Sequence, residues 1–109
     1  MRVVFSPLVR SCFQEMEEIL YEKEYFGFED SAIEYVRELI FEIRDTLPKC
    51  PKKPAPTYFD RFGRNLYYAS FRKNKATQWY AFFTIYSDNG EDVYLVQYLS
   101  NNHVISKYL

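Results

Sequence analysis

Residues 66–109 decide the fold of this chain: LYYASFRKNKATQWYAFFTIYSDNGEDVYLVQYLSNNHVISKYL. Aromatic and β-branched residues dominate three runs, at 66–71, 79–86 and 93–99, which short polar segments separate. This pattern predicts an antiparallel meander. Asp88-Asn89-Gly90 is a strong hairpin signal between the second and third runs. The run 79–86 is apolar on both faces, so we expect it to be a central strand covered on both sides.

The alternation along 93–99 predicts a sheet with two different faces. It assigns Val93, Leu95 and Leu99 to one face and Tyr94, Val96 and Tyr98 to the other. We expect the aliphatic face to pack against helices and the tyrosine-bearing face to be available for a ligand.

The chain upstream of the meander predicts a helical cover. Arg2–Phe5 is a short β-branched and aromatic run, typical of a strand. Ser6-Pro7 is a typical helix start, and apolar residues at helical spacing predict a helical hairpin over 7–47. The segment 48–57 holds four prolines and three lysines, which predicts an extended connector. The predicted fold class is α+β, in a single domain over 1–109: an N-terminal strand at 2–5, a two-helix hairpin, then a three- to four-stranded antiparallel sheet over 66–109.

Composition excludes several classes of protein. A chain of 109 residues with 48% hydrophobic and 20% aromatic residues can bury enough apolar surface to fold as one domain. No run approaches the roughly 20 apolar residues of a membrane span, and the apolar stretch near the N-terminus is too short for a signal peptide, so we expect a cytoplasmic protein. Two cysteines and one histidine cannot supply a four-ligand zinc site, and we expect no metal and no cofactor. Cys12 is predicted to be a buried reduced thiol and Cys50 an exposed one.

Charge divides the chain into two halves. Residues 1–48 carry 5 Lys/Arg against 11 Asp/Glu, whereas residues 49–109 carry 9 against 4. An acidic helical half and a basic sheet half indicate an anion-binding surface on one side of the molecule. The alternative is that these lysines and arginines are solvated and only keep a small domain soluble.

Cations, one imidazole and several phenols are the groups available for chemistry, because no phosphate-binding glycine loop or nucleophile elbow is present. These groups suit RNA cleavage without a metal. A base removes the proton of a ribose 2′-hydroxyl, a cation stabilises the charge on phosphate, and an acid protonates the departing 5′-oxygen. Tyrosines can stack on exposed bases.

Three short motifs carry a resemblance to a known family: the Ser6-Pro7 helix start, the strand WYAFF at 79–83, and the spacing from His103 to Tyr108. In this order they resemble the RelE/ParE toxin superfamily, over nearly the whole chain. The resemblance implies the toxin half of a bacterial type II toxin–antitoxin pair. RelE-like members cleave mRNA on the ribosome, and ParE-like members inhibit DNA gyrase.

The resemblance also implies site residues. His103 and Tyr108 match the C-terminal His and Tyr of the family, and Arg72 matches a basic residue before the central strand. Two positions depart from the family pattern: Val104 stands where an Arg often follows the His, and Trp79-Tyr80 stand where many members have Tyr-Arg.

We therefore expect a RelE-like endoribonuclease with a cognate antitoxin and ribosome-bound mRNA as its partners. The catalytic residues are expected to be His103, Arg72, Lys75 and Tyr108, with Lys75 or His103 as the acid/base group; Arg61, Arg64 and Lys73 are expected to bind RNA phosphates. One alternative is a non-catalytic binding module, either a ParE-like gyrase inhibitor or a degenerate toxin that only binds a partner. Another is a plain scaffold domain.

Overall fold

The computed structural model describes residues 1–22, 29–73 and 77–102, and for 19–22 and 29–32 it describes the backbone only. Its strands and helices are β1 (Arg2–Phe5), α1 (Pro7–Glu22), α2 (Glu29–Thr46), β2 (Lys53–Pro54), β3 (Tyr67–Arg72), β4 (Gln78–Asp88) and β5 (Glu91–Asn101), with short 3-10 helices at Leu47–Lys49 and Thr57–Phe62. The five strands form one sheet in the order β1-β5-β4-β3-β2. The predicted α+β class is confirmed.

Ser6 ends β1 and caps α1. Its backbone N–H donates to the Val96 carbonyl at 3.0 Å, its hydroxyl accepts a hydrogen bond from the Val9 N–H at 3.2 Å, and its carbonyl accepts one from the Arg10 N–H at 3.0 Å. Pro7 occupies the first helical position, where a missing N–H leaves no bond unmade. The predicted helix start is confirmed.

The helices bury their apolar stripes against one face of the sheet, which we call the helix face. Val9 and Phe13 of α1 and Leu39 and Ile43 of α2 share one core cluster with Phe83 of β4, and all five are buried. The spacing of four residues within each helix places each pair on one side of its helix. None of the helices within the described ranges is long and apolar enough to cross a membrane.

β4 is the central strand, as its sequence predicts, because it pairs with β3 on one side and β5 on the other. Asn89 and Gly90 form the two-residue turn to β5, with φ of 52° and 78°. Positive φ at both central positions is what a type I′ hairpin turn requires. The predicted hairpin is confirmed.

The expectation of an antiparallel sheet of three to four strands is wrong in two respects. β1 joins the same sheet and runs parallel to β5. β2, inside the proline-rich connector, pairs antiparallel with β3 as a fifth strand. β2 runs antiparallel to β1, whereas β3 and β5 both run parallel to β1. Pro54 is tolerated because β2 is an edge strand.

The predicted division of β5 into two faces is also wrong, because β5 contains a bulge. Phe82 pairs with Tyr98 but Phe83 pairs with Val96, so Gln97 is an extra residue in β5. The extra residue reverses the alternation beyond it. Tyr94, Val96 and Leu99 therefore all belong to the core of the helix face, while Tyr98 packs with Phe82 on the other side.

Candidate functional site

The sheet face opposite the helices, which we call the tyrosine face, carries the candidate site. Tyr80 of β4 lies at its centre, paired with Ser70 of β3 and Ser100 of β5. Both neighbours are small, so neither cross-strand partner has a side chain large enough to cover the Tyr80 ring. The ring of Tyr68 lies 6.2 Å from that of Tyr80, between centroids. The face thus combines partly exposed phenols with the exposed hydroxyl of Ser70, whereas Ser100 is buried.

The 3-10 helix Thr57–Phe62 covers one end of the tyrosine face. Phe59 stacks on Phe82 with ring centroids 4.3 Å apart, and Phe62 stacks on Tyr98 at 3.7 Å. Phe59 and Phe82 are fully buried, whereas Tyr80 and Tyr98 keep part of their surface exposed. This 3-10 helix, which we call the cover, therefore forms a second small core with the sheet and leaves the Tyr80 end accessible.

Arg61 stands on this cover. Its guanidinium lies 3.9 Å from the centroid of the Tyr58 ring, and its Nε donates to the Tyr58 carbonyl at 3.0 Å. A cation on an aromatic face gains about 0.5–1 kcal/mol at an exposed position. Arg64 follows the helix and is exposed. The structure therefore places Arg61 beside Tyr58 of the aromatic cluster and leaves Arg64 exposed just after the helix.

Arg72 and Lys73 are neighbours in sequence but lie on opposite faces of the sheet. Arg72 is exposed and pairs with Gln78, and strand alternation places it with Ser70 and Tyr68 on the tyrosine face. The Lys73 side chain is only 13% exposed and its Nζ lies 3.9 Å from a Glu38 carboxylate oxygen of α2. The structure brings Arg72 to the site and does not bring Lys73 there.

Tyr35 of α2 holds Lys73 on the helix face. The Lys73 ammonium lies 5.1 Å from the centroid of the Tyr35 ring. The Tyr35 hydroxyl also accepts a hydrogen bond from Trp79 Nε1 at 3.0 Å. These contacts join the β3–β4 hairpin to α2, so we assign Lys73 a packing role between the two layers.

His103, Lys75 and Tyr108, which the sequence predicts as catalytic residues, lie outside the described residues. Within the described ranges, no three His, Cys, Asp or Glu side chains come together as a metal site. Sequence reasoning missed Ser70, Ser100 and Tyr68 as parts of the site. The β3 members could have been predicted, because Tyr68, Ser70 and Arg72 are spaced two residues apart and such residues lie on one face of a strand.

The two cysteines are not bonded to each other, and both are half-buried rather than buried and exposed as predicted. Burial raises the pKa of the Cys12 thiol, and the Glu15 carboxylate adds to the effect. Burial also raises the pKa of Cys50; a hydrogen bond with Thr46 opposes this rise and Glu42 adds to it. Cys50 borders a cavity of about 140 Å³ beside Lys53 and Ser70.

Both thiols are therefore expected to react with iodoacetamide more slowly than free cysteine at neutral pH. A raised pKa leaves a smaller fraction as thiolate, the reactive form, and the rate should still climb with pH where that of free cysteine has levelled off. Single Cys12→Ser and Cys50→Ser variants, followed by mass spectrometry across a pH series, measure each thiol separately. A rate equal to that of free cysteine at neutral pH would contradict the assignment.

The fold and this face define a two-layer α+β protein with an aromatic surface bordered by arginines. Comparison of the chain with protein-family models, with curated proteins and with solved structures finds no match.

Proposed function

We propose that this chain binds single-stranded RNA on the tyrosine face and cleaves it as the toxin of a type II toxin–antitoxin pair. The observation that supports binding most directly is the position of Tyr80, which is partly exposed and has Ser70 and Ser100 as its cross-strand neighbours. Arg72 follows Ser70 by two residues in β3 and therefore lies on the same face of the sheet. The cleavage part of the proposal rests on the resemblance to RelE-like toxins.

A base can stack on Tyr80 because the residues on both neighbouring strands are too small to cover it. Base–aromatic stacking contributes about 1–3 kcal/mol per base and is tolerant of sequence. Tyr68 offers further ring surface on the same face and is partly exposed. The face therefore suits unpaired bases better than a duplex, whose bases are already stacked.

The arginines flank this stacking surface, where the phosphates of a bound strand would pass. Arg72 lies at the end next to the β3–β4 turn, and Arg61 and Arg64 lie at the covered end. Planar guanidinium groups bind phosphate through two parallel N–H donors. In the proposed reaction the 2′-oxygen forms a bond to phosphorus and the 5′-oxygen departs. The products are then a 2′,3′-cyclic phosphate and a 5′-hydroxyl.

In this proposal Arg72 stabilises the charge that develops on phosphate. Lys75 or His103 accepts the 2′-hydroxyl proton or donates one to the 5′-oxygen, and Tyr108 orients the substrate. The cognate antitoxin is proposed to be acidic, or to carry an amphipathic helix, because the chain is basic from residue 49 onward.

The variants Arg72→Gln and Tyr80→Ala are each expected to weaken binding of a fluorescent single-stranded RNA about tenfold or more, from lost phosphate contact and lost stacking. Lys73→Gln is the matched control, since it removes the same charge one residue away but from the helix face. Fluorescence anisotropy over a salt series measures all three. Arg72→Gln should also reduce the slope of log affinity against log salt by about 0.7. Equal losses for Arg72→Gln and Lys73→Gln would indicate binding to net charge rather than to this face.

Cleavage is tested separately, by expressing the chain without an antitoxin. Wild type is expected to slow growth and to cleave mRNA, whereas Arg72→Ala and His103→Ala are not. An RNA with 2′-deoxyribose at the cut position should resist cleavage, because the attacking hydroxyl is missing. Slowed growth with intact RNA and stalled gyrase supercoiling would favour the ParE-like alternative. No effect on growth or RNA would refute the enzyme.

A further inference from the structure

β1 is an edge strand whose outward backbone groups can be assigned. The Ser6 N–H donates to the Val96 carbonyl, and Phe5 is in register with Val96. In a parallel ladder alternate residues bond to the same neighbour, so Val4 shares the inward direction of Ser6. The N–H and C=O groups of Val3 and Phe5 then point away from β5. No strand within the described ranges pairs with this outer edge.

Apart from its short length and the charged Arg2, this edge lacks the features that protect edge strands from pairing. Its sequence Val3-Val4-Phe5 has high β-propensity and contains neither proline nor lysine. Beside it lies an open groove of about 530 Å³ between the strand and the two helices. Apolar side chains, two arginines, one glutamine and one acid border the groove: Val3, Val4, Phe5, Phe13, Ile40, Arg10, Arg44, Gln14 and Glu17.

The two ends of β1 carry opposite local charge. At its start, the β4–β5 hairpin places three carboxylates close by, those of Asp88, Glu91 and Asp92. Two cations face them: Arg2 bonds the Asp88 carboxylate at 2.8 Å, and the Met1 ammonium lies 3.7 Å from Glu91, so one acid remains in excess. We call this the acidic end. At its other end, the Arg44 guanidinium lies 5.9 Å from the Phe5 ring centroid. Arg10 also borders the groove, as does Glu17; the two arginines outnumber this one acid, and we call Arg10 and Arg44 the basic end.

We propose that the outer edge of β1 pairs antiparallel with β1 of a second copy of this chain, which joins two sheets into one. With a two-fold axis at Val4, Val3 and the partner's Phe5 would exchange two backbone hydrogen bonds. Phe5 and the partner's Val3 would exchange two more, because the axis relates the two pairs. The acidic end of each copy then lies next to the basic end of the other. A peptide of one charge would meet repulsion at one end, so charge favours a second copy as the occupant.

Sedimentation equilibrium tests this proposal with the purified chain. Mass is expected to rise from 13.2 kDa toward twice that value as concentration rises to about 1 mM. Val3→Pro should abolish the rise, because proline removes an outward N–H and leaves the bonds to β5 intact. Val3→Thr is the matched control, since it keeps the N–H and the β-branched shape, and should still dimerise. A monomer at every concentration overturns the proposal, and a dimer that tolerates Val3→Pro in a folded chain overturns its location.

Charge-reversal variants at exposed positions outside β1 give a second test, which leaves the sequence of β1 unchanged. Arg10→Glu places an acid at the basic end, and Asp92→Lys places a cation at the acidic end; each variant alone should dimerise at least tenfold more weakly than wild type. An equal mixture should recover association, because one junction is then native and the other has both charges reversed. Failure of the mixture to associate more tightly than either variant overturns the proposed antiparallel arrangement.

Discussion

Replacing Phe82 by alanine is expected to destabilise the protein by about 3–5 kcal/mol, the usual range for a large aromatic side chain removed from a core. Phe82 is fully buried on the central strand. Its ring stacks on Phe59, and the rings of Tyr98 and Tyr68 lie 5.6 and 5.8 Å away. Without it the 3-10 helix Thr57–Phe62 loses the surface on which it packs. A domain of this size is stabilised by only about 5–15 kcal/mol in total, so much of that margin would be lost.

Guanidinium denaturation followed by circular dichroism measures this loss as a shift in midpoint. Tyr86→Ala is a matched control on the same strand, because Tyr86 is 46% exposed, and we expect a change within about 0.5 kcal/mol. Phe82→Leu should give an intermediate loss, since most of the buried volume is kept. A loss below about 1 kcal/mol for Phe82→Ala would show that the cover contributes little to folding.

Gly63→Ala is expected to destabilise the protein by about 2–4 kcal/mol, combining backbone strain with overpacking. Gly63 ends the cover with φ of 156° and ψ of 150°, a conformation available essentially to glycine only. A Cβ built there would overlap the Oε1 atom of Gln97 and lie 3.3 Å from Leu66 Cδ2. A side chain at residue 63 therefore requires the end of the flexible Gln97 side chain to move away.

Gly90→Ala provides the comparison, because φ is also positive there but no atom lies within 4 Å of an added Cβ. We expect about 1–2 kcal/mol for this variant, from backbone strain without overlap. In the Gly63→Ala background, Gln97→Ala should restore part of the lost stability by removing the overlapping atom. Equal losses at the two glycines, measured by the same denaturation, would show that close packing at Gly63 is unimportant.

Local patterns in the sequence predicted most of the secondary structure. The helix start at Ser6 and the hairpin turn at Asn89-Gly90 depend on residues within a few positions of each other, and both were predicted correctly. The central strand was equally clear, because β4 is apolar on both faces. The direction of β1 was not predictable in this way, since its partner β5 lies about 90 residues away in the chain.

The candidate site was only partly predictable. Clustering of basic residues singled out Arg61, Arg64 and Arg72 as candidates; the structure places Arg72 on the tyrosine face and Arg61 beside Tyr58, and Arg64 is exposed. The same clustering included Lys73, which instead packs on Tyr35 and Glu38 of α2. The number of charges in a segment does not show on which face of the sheet each side chain lies. Alternation along a strand places neighbouring residues on opposite faces.

The sequence by itself determined that two amphipathic helices and an aromatic meander exist, that the protein is α+β, and that its basic residues concentrate from 49 onward. These properties follow from composition and from periodicity over a few residues. The tertiary structure decided the parallel position of β1, the pairing of β2 and the bulge at Gln97, which sends Tyr94 into the core and leaves Tyr98 on the tyrosine face. Each depends on which strands meet and in which register, and a one-residue change in register exchanges the two faces of a strand.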